Sequence, residues 1–361
     1  MKREPIIAAV LGFCNTLRLS QGKTLSDLVC AATKLSQASL AHLGRLVAQE
    51  RGVAVKHCIK RVDRFVGNPR IEPLQAMEGL IRWLARPRQR LLVSLDWVDI
   101  RHFQCLVLAA RLRGRAIPLL WAVYRYEDVY RSQNNLEYGL LRAFRPFVPE
   151  STAVTILADR GFGRAEMARE CQTNHFHYII RIEPKVFIRS RLFTGRLSAF
   201  ALERGHSRWL RDVWYRKTQP VQQHVAIIWP PEQEGPWYLM TDVAHLKAKL
   251  LSQVFARRMT IEEYFRDAKS KRNGFALRLI QIKDSQRLSR FLLILAIAYL
   301  LLVTVGLYAA DHWRAGQWCA TNRPGQCSLF TIGKVVQHRP LPVLHRLLFN
   351  LRREILTQNW G

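Results

Sequence analysis

Two apolar runs, Leu91 to Leu95 and Ala153 to Ala158, each end in an aspartate, Asp96 and Asp159. A short apolar run bounded by polar residues is a buried strand, so each run is expected to deliver a carboxylate at its tip. The chain between and around them fills in the rest of a sheet. A second strand is read over about Arg101 to Leu112, and the turn Arg113-Gly114-Arg115 leads into a third, Ala116 to Tyr124. Asn135 to Phe147 and Arg164 to Thr173 read as helices, and His177 to Ile182 as a further strand.

The resulting order, βββαβαβ with aspartates closing the first and fourth strands, is the RNase H-like α/β arrangement. In that arrangement a later helix faces both strand ends. The stretch Phe255 to Lys269 supplies one: it lacks Gly and Pro and is rich in helix formers. At about 100° per residue, Phe255, Arg258, Glu262 and Lys269 fall on one face, while Ile261, Tyr264, Phe265 and Ala268 make a neighbouring apolar stripe. A carboxylate between two cations suits a place where metal ions and phosphates meet. The alternative reading of Arg258 and Glu262 is a plain i,i+4 ion pair.

The spacing Arg258-x3-Glu262-x6-Lys269 resembles the signature Tyr-x2-Arg-x3-Glu-x6-Lys of the IS-four family of bacterial insertion-sequence transposases, which are DDE enzymes. Phe255 stands at the Tyr position, keeping the ring without the hydroxyl. Ala158-Asp159-Arg160-Gly161-Phe162 is similar to the second-aspartate motif of that family. The resemblance implies cut-and-paste transposition, excision through a hairpin at the transposon end, assembly of a homodimer on paired ends, and strand transfer into target DNA. It also implies a β insertion before the catalytic helix, and a Trp in that insertion on which a base stacks. Trp237 occupies this place, although an ordinary core aromatic on a strand reads equally well.

The chemistry implied is phosphodiester cleavage without a covalent protein intermediate. Two Mg²⁺ about 3.5–4 Å apart activate the nucleophile and hold the leaving oxygen, and hard carboxylate ligands suit them. Asp96, Asp159 and Glu262 are the expected ligands, with Mn²⁺ an acceptable substitute. Arg258 and Lys269 are expected to hold phosphate oxygens, and Arg160 to contact DNA. Asp99, beyond the strand end, and Glu263, rotated about 100° off the cationic stripe, are the nearby impostors.

Charge agrees with a polyanionic partner. The 361 residues carry 56 Lys+Arg against 27 Asp+Glu, a formal +29, which points to nucleic acid rather than a small substrate. Seven Cys with no C-x-x-C pair indicate a reducing, cytoplasmic compartment and no disulfide or zinc scaffold; nucleoid association follows from the DNA partner. Cys319, Cys327 and His312 could form a metal cluster on paper, and free thiols are the better reading.

Four regions are expected. Residues 1–85 form a helical DNA-binding domain, with a first core helix at the N-terminus and others at Thr24 to Thr33, Ser36 to Gln49 and Val55 to Val66. In the last of these Lys56, Lys60 and Arg64 line one face at i, i+4, i+8, either as a DNA contact or as a solvated face. Residues 86–182 and 242–310 make the catalytic core, and 183–241 the β-rich insertion. Residues 311–361 make a helical C-terminal region for DNA contact or dimerisation. Phe291 to Ala310 has the length and composition of a membrane span, but its place after the catalytic helix fits an apolar helix covering the sheet. An RNase H-like nuclease or resolvase without strand transfer, and a catalytically dead DNA-binding descendant, remain as competing functions.

Overall fold

A computed structural model describes residues 1–130, 132–216, 220–319 and 327–357. The expectation for 311–361 therefore falls partly outside the described residues, at 320–326 and 358–361. Helices precede the sheet: α1 (Arg3–Phe13), α2 (Leu19–Ala32), α3 (Leu40–Arg51), α4 (Val55–Gly67) and the short α5 (Pro73–Ala76) and α6 (Glu78–Leu84). Strands β1 (Arg90–Ile100), β2 (Phe103–Leu112) and β3 (Arg115–Arg125) follow, then α7 (Tyr126–Val129), α8 (Gln133–Phe144), β4 (Ala153–Ala158), α9 (Ala165–Thr173) and β5 (His177–Arg181). Next come β6 (Phe187–Arg189), β7 (Thr194–Arg196), β8 (Ser207–Tyr215), β9 (Val221–Ile228) and β10 (Trp237–Thr241). The chain closes with α10 (Ala248–Ala256), α11 (Thr260–Lys269), α12 (Ser285–His312), α13 (Leu329–Val336) and α14 (Leu344–Thr357).

The βββαβαβ order is present, in a mixed sheet with helices on its faces that fits the RNase H-like arrangement. Strand order is β3-β2-β1-β4-β5-β10-β9-β8-β6-β7. The strands of 183–241 therefore continue the core sheet through β10, which pairs antiparallel with β5. Two short strands, β6 and β7, and the helix α10 were not expected from the sequence. Their apolar residues are too few or too short-patterned to declare a period.

Two expectations about β1 need correction. Asp96 does not close the strand, and Asp99 does not lie beyond it: β1 runs on to Ile100, with Asp96 opposite Val107 and Asp99 opposite Gln104. The apolar run stops at Leu95 because the parallel partner stops there, at the pair Leu95–Ala158. The hairpin to β2 keeps the backbone extended for five more residues, and its pairing needs no apolar side chain.

The N-terminal helices are not insulated from the sheet by a gap in packing. α2 and α4 pack on α12, and Arg290 of α12 donates to the carbonyls of Ile71 (2.9 Å) and Val66 (3.2 Å). α3 begins later than read, at Leu40, because the Ser39 side chain accepts from the His42 N–H (3.3 Å) and caps it there. Helix α12 is long and apolar enough to cross a membrane by length and composition, and 94% of its most apolar window is buried inside the protein. It packs against β3, α2 and α13. The crossing with α13 is close: a Cβ on Gly306 would lie 1.8 Å from the Leu329 carbonyl oxygen.

Candidate active site

Side chains alternate along a strand, so residue parity decides which face of the sheet each one occupies. Leu92 and Leu157 lie in the apolar cluster beneath α10, as do Ile179 and Leu239. Counting in twos from these puts Asp96, Asp159, Arg181 and Trp237 on the same face. The parallel register makes Asp159 follow Ala158 exactly as Asp96 follows Leu95 and Arg181 follows Ile180. Two carboxylates and a guanidinium thus stand side by side where the parallel pairing of the three strands stops.

The helix that meets them differs from the one expected. Phe255 lies in the last turn of α10, which ends at Ala256, Arg257–Met259 is a turn of 3-10 helix, and α11 starts at Thr260. The tighter turn rotates Phe255 off the cationic stripe, and it is buried in the α10 cluster. Arg258 swings the other way. Its Nη1 donates to Asp96 Oδ2 (3.0 Å) and its Nη2 to Glu262 Oε1 (2.8 Å). The i,i+4 ion pair of Arg258 with Glu262 is present, and the same guanidinium also reaches Asp96.

Asp96 is largely buried and also accepts from the Trp97 N–H (2.8 Å). Burial pushes its carboxyl up to about 6; Arg258 opposes that, and the charges of Asp159 and Glu262 add to it. Asp159 accepts from the Gly161 N–H (2.9 Å). Glu263 is taken up by Arg115 (3.3 Å) and Arg266 (3.0 Å), which removes it from the site. Asp99 accepts from Gln104 at 3.4 Å.

Among the described residues no three His, Cys, Asp or Glu side chains converge closely enough to hold a metal as they stand. That includes Cys319 and Cys327 with His312, whose Nδ1 meets the Tyr308 carbonyl. The donor set of Asp96, Asp159 and Glu262 nevertheless fits a hard divalent cation. All three offer carboxylate oxygen, and Asp96 and Glu262 are held within reach of one another by the single guanidinium of Arg258. The Glu262 side chain is 42% exposed and is held to Arg258 at 2.8 Å.

Cations surround the carboxylates. Lys269 lines an open cleft of about 480 Å³ shared with Glu262, Arg266, Lys271 and Arg278. Burial lowers the Lys269 ammonium, and Arg278 lowers it further. Arg160 is exposed, with its Nε 3.9 Å from Glu183. Sequence reasoning missed Arg181. Its guanidinium lies 5.6 Å from the Trp237 ring centroid and is in no ion pair among the described residues. Burial lowers its pKa, with Arg160 and Arg258 adding to the effect. A cation ending a strand parallel to the one that carries Asp159 was the available signal. Trp237 is half-buried, meets Phe255 edge-on at 5.7 Å, and so belongs both to the core and to the rim of the site. Lys56, Lys60 and Arg64 are exposed on α4 and are not brought to this site.

A family model described as Transposase DDE domain matches residues 100–301, more than half of the chain. The chain belongs to the DDE transposases. The matched segment of this transposase carries Asp159, Arg258, Glu262 and Lys269 and begins four residues after Asp96. No curated protein matches the chain. Membership makes it a metal-dependent enzyme that acts on DNA.

Proposed function

We propose that this transposase moves an insertion sequence by cut-and-paste, as the IS-four resemblance implies, with Asp96, Asp159 and Glu262 as its metal-binding carboxylates. The supporting observation is Arg258, which lies 162 residues from Asp96 in sequence and joins it to Glu262 on the face shared with Asp159. A pair of Mg²⁺, or Mn²⁺, held there supplies an activated nucleophile and stabilises the leaving oxygen. The protein's own groups do the rest. Arg258 is shared between two carboxylates; when these turn to a cation, its fork is released toward a phosphate oxygen. Arg181, Lys269 and Arg160 add positive charge around the scissile strand, and the half-buried Arg181 gains a phosphate partner there. Trp237 offers a ring to a base drawn from the stack if the ends are freed as hairpins. The exposed face of α4 contributes phosphate contacts, and two copies assemble on paired transposon ends in a bacterial cytoplasm, on the nucleoid.

The test uses a duplex carrying the element's own terminal repeat, found in the DNA flanking the gene, with a gel that resolves nicked, hairpin and blunt products. Strand transfer of the cut end into a plasmid supports transposition. Cleavage with no transfer under any divalent ion would favour a nuclease or resolvase instead.

A further inference from the structure

Beneath the sheet, on the face opposite Asp96, lies a carboxylate that the reaction does not use. Glu137 of α8 is 0% exposed. Its Oε1 accepts from the Trp97 indole N–H (2.9 Å) and from Gln133 (3.1 Å), and its Oε2 is in an ion pair with Arg164. Arg164 precedes α9 and donates its Nη1 to the Gly161 carbonyl (2.5 Å). Gly161 in turn donates its N–H to Asp159. A continuous path therefore runs from Asp96 through the next residue, Trp97, to Glu137, Arg164, Gly161 and Asp159.

We propose that Glu137 is a positioning residue that ties the strand bearing Asp96 to the loop after Asp159 and so sets the spacing of the two carboxylates. A wholly buried charge is expensive, and packing alone is achieved at lower cost by apolar side chains. What an ionic fork adds is direction. Each oxygen of Glu137 is committed to a different segment, one to β1 and one to the 159–164 loop. Gly161 is suited to the arrangement, since a Cβ there would sit 3.1 Å from Asp159 Oδ1. The inference rests on the reading of Asp96 and Asp159 as the cleavage carboxylates.

Glu137→Ala leaves Arg164 buried without its partner and is prone to misfolding, so the test severs each arm separately. Trp97→Phe removes one N–H, and Arg164→Lys keeps the charge but cannot hold both Glu137 and Gly161. Cleavage rate at saturating end DNA, end-DNA Kd and Tm are measured for both, for the double variant, and for Asp96→Asn. Each single variant is expected to slow cleavage about tenfold or more, as losses of groups that orient metal ligands do, with Kd unchanged. The double variant is expected to be no slower than the worse single one, because both cut the same path. Multiplying effects, unchanged rates, or losses that follow Tm would overturn the proposal. Normal cleavage by Asp96→Asn would instead overturn the underlying site assignment.

Discussion

Arg258 shows how much one side chain decides here. With its side chain 11% exposed it can serve Asp96 and Glu262 together only because the 3-10 turn before α11 aims it at the sheet. The two carboxylates it joins, and Asp159 beside them, are expected to act on cleavage and not on DNA affinity. Asp96→Asn, Asp159→Asn and Glu262→Gln should each abolish strand cleavage with end binding nearly intact, and a variant still cutting with Mg²⁺ as sole divalent ion would leave the site. Trp237 is the subtler residue, because its ring is shared between Phe255 and Arg181. Stacking on an unstacked base returns about 1–3 kcal/mol, while truncating a fully buried Trp costs about 3–5 kcal/mol. Trp237→Ala should slow hairpin formation or opening more than first-strand nicking and lower Tm somewhat. Trp237→Phe should be milder in both. Equal slowing of every step, in proportion to lost stability, would assign the ring to packing alone.

Elements carry the next level of the argument. The apolar side of α4, through Cys58, Val62, Phe65 and Val66, is buried, which leaves Lys56, Lys60 and Arg64 outward. Replacing the three together by Ala should weaken end binding and flatten the slope of log K against log salt, by about 0.9 per lost phosphate contact; an unchanged slope would make the face merely solvated. The crossing of α12 and α13 makes a different kind of prediction. Gly306→Ala places a methyl against backbone that cannot retreat, and it should cost about 1–3 kcal/mol of stability or more, read from a denaturant or thermal melt. Gly139→Ala, exposed on α8 with nothing within 4 Å, is the control and should leave stability equal or slightly raised.

At the scale of the molecule, the +29 charge surrounds a small acidic centre, so long-range attraction for DNA and local affinity for divalent cations coexist. Much of this was legible in order along the chain. Short continuous apolar runs named β1 and β4, the charge named the polyanion, and a stretch of helix formers without Gly or Pro named the helix that carries Arg258, Glu262 and Lys269. These signals survive in sequence because burial and helical pitch act on neighbours. The remainder depends on residues far apart. The end of β1 is set by pairing with β2, and the rotation of Phe255 by a 3-10 turn with no sequence mark of its own. The rank of Asp96, Asp159 and Arg181 is set by the register of three parallel strands. Nothing in the sequence singles out Glu137 on α8, since only the packed fold brings Trp97 and Arg164 to its two oxygens. A sequence determines which groups prefer to be buried, extended or helical; which of them then share one face, and at what separation, is decided by long-range pairing that no local pattern encodes.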